Sequence, residues 1–326
     1  MFHLIRYRNL FFLVAIQWLI YYAIITPTLQ MFAIAPQLPT WTVWALIAAS
    51  VLIAAGGYVI NDYFDLKIDR INRPERVIIG EKITKENAMQ LYRLLTGAGV
   101  AAGLTAAVFL HNTTVGVIIL MTTGLLWFYS ASYKRQLIIG NLTVALVSAL
   151  APLLLLVAES AALSNNYSEL LRLTPVLPTL YAWVCGFALY AFLWTFIREI
   201  IKDIEDEKGD REMECHTIPI VWGVGTAKII VTVLTVLTVA SLGAVAVWVI
   251  DLPGAASVSL RYWLFGIVLP GGCMLALLWS KSSGAIRQAG NCCKFIMLTG
   301  ILYSLLYCFF IAKTCGLVLW GMFKFV

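Results

Sequence analysis

Apolar residues occur in runs too long for the core of a soluble protein. Runs of roughly twenty occupy 10–32, 41–61, 92–110, 114–130, 139–159, 177–197, 227–250, 263–280 and 294–312, separated by more polar connections of unequal length. A helix rises about 1.5 Å per residue, so about 20 apolar residues cross the hydrocarbon core of a bilayer. The pattern predicts nine transmembrane helices in an all-α, polytopic membrane bundle. The last apolar stretch, 315–323, is too short to span and is expected to be an extension or an interfacial segment.

Composition agrees. Hydrophobic residues make up 61% of the 326 residues and charged residues 12%, with a mean hydropathy of +0.88. Soluble domains carry about 25% charged residues. One membrane domain over 1–326 is expected, rather than two globular ones. The +6 net charge reads as bases gathered on one side of a bilayer, not as a nucleic-acid surface. The seven cysteines have neither metal-type spacing nor the pattern of a disulfide framework, and most lie in or near apolar runs. No cleavable signal peptide is evident, because the first run is long enough to span.

Charge asymmetry sets the orientation. If the N-terminus is cytoplasmic and each span crosses once, 19 of the 23 Lys and Arg fall on the cytoplasmic side. Arg172, Arg261, Lys313 and Lys324 fall opposite. The positive-inside rule then predicts a cytoplasmic N-terminus and a C-terminus on the far side, with a bacterial cytoplasmic membrane as the expected location.

Against this apolar background two charged segments stand out. Asn61-Asp62-Tyr63-Phe64-Asp65-Leu66-Lys67-Ile68-Asp69-Arg70 follows the second run, with Asn72-Arg73-Pro74 beyond it. Asp203-Ile204-Glu205-Asp206-Glu207-Lys208-Gly209-Asp210-Arg211 follows the sixth. Both have Asp, Asp three on, Asp four further, then Arg. On a continuous helix the three carboxylates share one face. Such clusters are costly beside a span unless a cation meets them. Gly209 is expected to break the helix in the second copy. Both segments follow even-numbered spans, so both emerge on the cytoplasmic side, and the four-span offset predicts a parallel internal repeat. They are expected to face each other across one cavity, with six aspartates around a shared metal–ligand cluster. A third segment, Tyr129-Ser130-Ala131-Ser132-Tyr133-Lys134-Arg135 with Gly140-Asn141, joins the fourth and fifth spans on the same side. There Lys134 and the tyrosines read either as a topology anchor or as binding groups for an anion in the same cavity.

Clustered aspartates without His or Cys suit Mg²⁺, which bridges a few carboxylates to substrate phosphates. Lys67, Arg70, Arg73, Lys134, Arg198, Lys202 and Arg211 could pair with the remaining phosphate charge. The substrate so described has a diphosphate at the membrane surface and an apolar tail in the bilayer, as a prenyl diphosphate does. Metal and bases would stabilise the leaving diphosphate. Apolar walls would shield the allylic cation from water, and aromatic faces would stabilise it. His3, His111 and His216 are isolated, which argues against a histidine metal site or a triad. His216 reads as a loop residue, with a supporting role beside Asp210 as the alternative. Gly223-Val224-Gly225 lacks the context of a nucleotide loop.

These residues carry a resemblance. Asn61-Asp62-x-x-Asp65-x-x-x-Asp69-Arg70 with Arg73-Pro74, Asp203 with Asp206-x-x-x-Asp210, and Tyr129-Ser130 through Lys134 with Gly140-Asn141 resemble the recurring segments of the UbiA superfamily of intramembrane prenyltransferases, over nearly the whole chain. The resemblance implies that Asp62, Asp65, Asp69, Asp203, Asp206 and Asp210 hold Mg²⁺ and diphosphate, and that Asn61 shares this role. It also implies that Lys67, Arg70, Lys134 and Lys202 contact phosphate or order the loops. The two charged segments look most like the branch that prenylates geranylgeranylglyceryl phosphate, and also like the homogentisate and chlorophyll branches. The expected activity is transfer of a prenyl group from a polyprenyl diphosphate to a lipid or aromatic acceptor in the membrane, with diphosphate released. The alternatives are an aromatic prenyltransferase of quinone, tocopherol or chlorophyll type, a divalent-cation or polyanion transporter, and a lipid-binding or assembly protein. Few polar groups near mid-membrane count against the transporter.

Overall fold

A computed structural model describes residues 4–72, 77–248, 254–319 and 323–324. Arg73 and Pro74 therefore lie outside the described residues. Among the described residues nine helices are long and apolar enough to cross a membrane. Spans 1 to 9 are Tyr7–Met31, Thr40–Phe64, Lys85–Phe109, Thr113–Ala131, Ile139–Ser168, Val176–Glu205, Gly223–Ala246, Ala255–Trp279 and Ala285–Cys315. Several run well past the apolar stretches that predict them: span 6 by eight residues at its charged end, and span 9 by nine at its start. Hydropathy detects only the part that needs lipid, whereas backbone hydrogen bonding continues into polar sequence. The 315–323 stretch does not add a span; Val318–Leu319 pairs antiparallel with Phe323–Lys324.

Spans 2 and 3 form one close pair and spans 5 and 6 another, with span 9 packed on span 6. One buried cluster is built mainly from spans 1–5, the other from spans 6–9. Trp183 and Phe187 of span 6 pack against both. A third, small cluster seats fully buried Leu4 among Val59, Ile79 and Ala88, beneath the polar connection between spans 2 and 3.

Spans 1 and 8 each contain a π-helical turn, at Ile20–Ile25 and Leu264–Val268, immediately ahead of Pro27 and Pro270. Proline has no N–H to give the carbonyl four residues back. In span 8 that carbonyl belongs to Gly266, and the Thr299 hydroxyl of span 9 donates to it at 2.6 Å.

At the opposite end from the charged segments, Glu159 is fully buried. It accepts from the Gln37 and Leu38 amides at 2.6 and 3.2 Å and from the Tyr21 hydroxyl at 2.9 Å. This carboxylate clasps the connection between spans 1 and 2.

Both charged segments bend, which corrects the expectation of a continuous helix in the first and of a break at Gly209 in the second. Span 2 ends at Phe64, Asp65 takes φ −87°, ψ 0°, and a short helix follows over Leu66–Asn72. Span 6 ends at Glu205, Asp206 takes φ −93°, ψ 5°, and a short helix follows over Glu207–Glu212, with Gly209 inside it. The bend falls at the middle aspartate of each copy. Amide-to-carbonyl bonds still run through it: Asp65 to Asn61 and Asp69 to Asp65 at 2.9 Å, Asp206 to Lys202 at 2.9 Å, Asp210 to Asp206 at 3.2 Å. A ψ near 0° therefore turns the axis with little loss of hydrogen bonding.

Candidate active site

The two short helices after the bends touch each other, so both aspartate rows meet at one end of the bundle. The first row is met by protein cations. Arg6 donates to Asp62 at 2.8 Å while its guanidinium lies 4.9 Å from the centre of the Tyr58 ring. Lys134 lies 2.5 Å from one oxygen of Asp65, and the Asn61 carboxamide donates to the other at 2.9 Å. Lys134 is thus the link between the first row and the connection of spans 4 and 5. Beyond Asp65, its ammonium meets no protein acceptor among the described residues. Burial pushes the Lys134 ammonium down, against the opposing field of Asp65.

A glycine sets this placement. A Cβ on Gly140 would lie 2.7 Å from Lys134 Cα and 2.8 Å from the Tyr133 carbonyl oxygen. Only glycine lets the start of span 5 come that close to the turn over Tyr133–Arg135. The His216 amide donates to the Arg135 carbonyl at 2.8 Å. His216 thus acts through its backbone, tying the turn to the second segment.

In the second row, Asn141 donates to Asp203 at 2.8 Å, and the Thr217 hydroxyl lies 3.4 Å from Asp210. Glu199, nearly buried, pairs with Arg198 at 2.5 Å and with Lys202 at 3.9 Å. Lys202 and Tyr129 stand between the rows: Lys202 feels Tyr129, Glu199 and Asp206, and Tyr129 feels Lys202, Glu199, Asp65 and Asp203. Burial, then the neighbouring Asp65 and Asp62, push the Asp69 carboxyl up to about 6. Burial, then Asp206, push Asp210 up to about 6.

Among the described residues, no three His, Cys, Asp or Glu side chains converge closely enough to hold a metal. The two rows therefore meet as neighbouring groups rather than as one close six-aspartate cluster. The physical reason is that like charges separate, and Asp62, Asp65, Asp203 and Asp210 have each found a protein donor. The donor set still suits a hard divalent cation. Both rows offer oxygen only, and Asn61 Oδ1 is buried beside Asp65 without a hydrogen-bond partner.

The bases divide. Lys134 meets Asp65 and Lys202 lies near Asp69 and Asp206, Arg198 pairs with Glu199, whereas Lys67, Arg70 and Arg211 are exposed, and Arg211 pairs with Glu207 of its own helix at 2.7 Å. Sequence reasoning passed over Arg6, Glu199 and Thr217 and gave Asn141 no role of its own. Arg6 was visible only as a base ahead of the first span. Its positive φ of 51°, which aims it at Asp62, has no sequence signature.

The chain has similar proteins. A digeranylgeranylglyceryl phosphate synthase of Methanosphaera stadtmanae is 33% identical over 189 residues, 58% of this chain and 61% of that protein. One of Sulfurisphaera tokodaii is 35% identical over 202 residues, 61% of this chain and 65% of that protein. The chain thus spans less than two thirds of the length of these curated relatives. The fold matches that of a UbiA homologue from Archaeoglobus fulgidus, solved bound to GPP and Mg²⁺, with a TM-score of 0.54 and 15% identity over 94% of this chain and 99% of the other. The sequence profile of the UbiA prenyltransferase family matches residues 22–299, and this integral membrane protein belongs to that family.

Proposed function

We propose that the protein is a Mg²⁺-dependent prenyltransferase, a single membrane domain over 1–326. It moves a prenyl group from a polyprenyl diphosphate to geranylgeranylglyceryl phosphate. The observation that carries this reading is the meeting of two aspartate rows at one end of an apolar bundle, with buried Lys134 paired to Asp65. The names of the similar archaeal proteins support the acceptor, and the A. fulgidus homologue, bound to GPP and Mg²⁺, supports the donor and the metal.

Asp62, Asp65 and Asp69 with Asn61, and Asp203, Asp206 and Asp210, are the residues to hold the metal and, through it, the diphosphate. Bound Mg²⁺ supplies the positive charge that makes diphosphate a good leaving group. Lys134 and Lys202 neutralise phosphate oxygens, aided by Arg198 and Arg6, and Tyr129 lies against the same group. Lys67, Arg70 and Arg73 serve in ordering the connection. The prenyl C–O bond breaks with its electron pair leaving on the diphosphate. The acceptor hydroxyl oxygen attacks the allylic carbon, and its proton leaves with the diphosphate. The apolar spans keep water from the carbocation.

The base asymmetry supports an N-terminus and aspartate rows on the cytoplasmic side, with the C-terminus opposite. The similar proteins are archaeal, which supports an archaeal rather than a bacterial cytoplasmic membrane. The reaction is tested by incubating the purified protein with labelled geranylgeranyl diphosphate, Mg²⁺ and a panel of acceptors: geranylgeranylglyceryl phosphate, 4-hydroxybenzoate, homogentisate and dihydroxynaphthoate. A product with the glyceryl phosphate, absent with Asp65→Ala, is expected. A product only with an aromatic acceptor overturns the acceptor assignment, and no product with any acceptor overturns the transferase reading.

A further inference from the structure

Spans 8 and 9 meet along an outward-facing groove of about 490 Å³, lined by Val258, Arg261 and Phe265 on one wall and Phe295, Thr299 and Leu306 on the other. Its floor is the π turn of span 8, where Gly266 contributes no side chain.

Nearly all polar capacity in the groove is already used. The Tyr262 hydroxyl donates to the Thr299 carbonyl at 2.7 Å, and the Thr299 hydroxyl donates to the Gly266 carbonyl at 2.6 Å. Arg261 is different. It is exposed, and among the described residues it has neither an acidic partner nor a hydrogen-bond acceptor. It lies six residues into span 8, about 9 Å along the helix. That places the guanidinium just ahead of the apolar run at 263–280, at the edge of the hydrocarbon. With each span crossing once, span 8 starts on the side opposite the aspartate rows, where only four of the 23 bases fall. Helical side chains lean toward their own N-terminus, so Arg261 reaches back to the headgroup layer of that leaflet. On span 9, Lys313 follows Thr299 and Leu306 at seven-residue intervals. It therefore lies over the same face, beyond the mouth of the groove.

We propose that this groove holds one hydrocarbon chain of an anionic glycerophospholipid from the leaflet opposite the aspartate rows, with the lipid phosphate on Arg261. A hydrocarbon chain matches the apolar walls, and a guanidinium pairs with phosphate oxygens two at a time. A zwitterionic lipid already carries its own ammonium. An anionic one keeps a net charge for Arg261 and Lys313, and that difference gives the preference. The acceptor of the proposed reaction is also an anionic lipid, but its reacting end has to reach the aspartate rows across the bilayer.

The test reads the groove directly. The full-length protein in neutral-lipid nanodiscs is photolabelled with a diazirine-chain phosphatidylglycerol or with the matching phosphatidylcholine, and labelled peptides are mapped by mass spectrometry. The anionic probe is expected to label 258–265 and 295–306 at least several-fold more than the neutral probe, and Arg261→Gln to bring the two to parity. Val258→Trp, which fills the groove, is expected to lower labelling by both probes. Exposed Ile229, Val233 and Leu237 of span 7 should stay labelled in every variant and so report an intact fold. Equal labelling by the two probes in the unaltered protein, or a preference that survives Arg261→Gln, overturns the proposal. So do protein–protein crosslinks through 258–265, which would make the face a contact between two copies.

Discussion

Lys134 and Asp65 show how much one residue pair carries. A buried ammonium with a single carboxylate partner is an uncompleted ion site, and its remaining protons suit phosphate oxygens. Asp65→Ala is expected to lower turnover at least about 100-fold, the scale of losing one key electrostatic group, without loss of membrane-folded protein. Lys134→Met is expected to raise KM for the prenyl diphosphate and to lower kcat/KM about 10- to 100-fold. Lys134→Arg should not restore it, because the fork of Arg does not fit a point-charge site. Steady-state kinetics over diphosphate concentration checks all three substitutions.

Protons compete at the same rows. Asp69 and Asp210, both pushed up to about 6 by burial and neighbouring carboxylates, are charged at neutral pH only against desolvation. For a carboxylate raised in the folded state, stability without metal increases as pH falls from above 6 toward the unfolded value of about 3.9. Metal binding has the opposite sign, since the ligands have to be deprotonated. From pH 7.5 to pH 5, Mg²⁺ affinity is expected to fall about tenfold for each such proton displaced. Mg²⁺-dependent shifts in melting temperature at the two pH values measure this.

Among elements, the bends after spans 2 and 6 and the turn over Tyr133–Arg135 determine the site. The turn has little freedom, because Gly140 lies against its backbone and Ile138 is held at φ 65°. Gly140→Val is expected to destabilise by about 1–3 kcal/mol, the usual result of overpacking. It should also raise KM as Lys134 is displaced, which melting curves and kinetics together would separate from simple unfolding. The aspartate spacing was legible in the sequence because the two copies share it. The bends at Asp65 and Asp206 were not. Neither residue is a helix breaker, and Gly209, the residue that looks like one, sits inside a helix.

At the scale of the whole molecule, orientation and the far-side clasp are separate questions. With His111→Cys on the connection of spans 3 and 4, or Ser282→Cys on that of spans 8 and 9, in a cysteine-free background, an impermeant maleimide applied to intact cells is expected to label the first and spare the second. Equal labelling would reject the cytoplasmic N-terminus. Glu159→Ala strands two amides and a hydroxyl in the clasp. Unsatisfied buried groups cost about 1–3 kcal/mol each, so stability in detergent, read from melting curves, is expected to fall by at least about 2 kcal/mol, with Glu159→Gln recovering part. A carboxylate in an apolar run looks anomalous in sequence, because its partners lie 121, 122 and 138 positions away.

The sequence by itself determined the nine spans, their all-helical class and the end of the bundle where the chemistry gathers. Those follow from composition, run length and the paired aspartate spacing, which are local properties. Only the tertiary structure decided which bases reach the rows: Lys134, Lys202 and Arg6 do, while Lys67, Arg70 and Arg211 are exposed. It also decided which protein donors meet the carboxylates, and that Arg261 lines an outward groove with no acidic partner among the described residues. Those outcomes depend on which helices pack together and on the direction of each side chain, and charge and spacing along one chain encode neither.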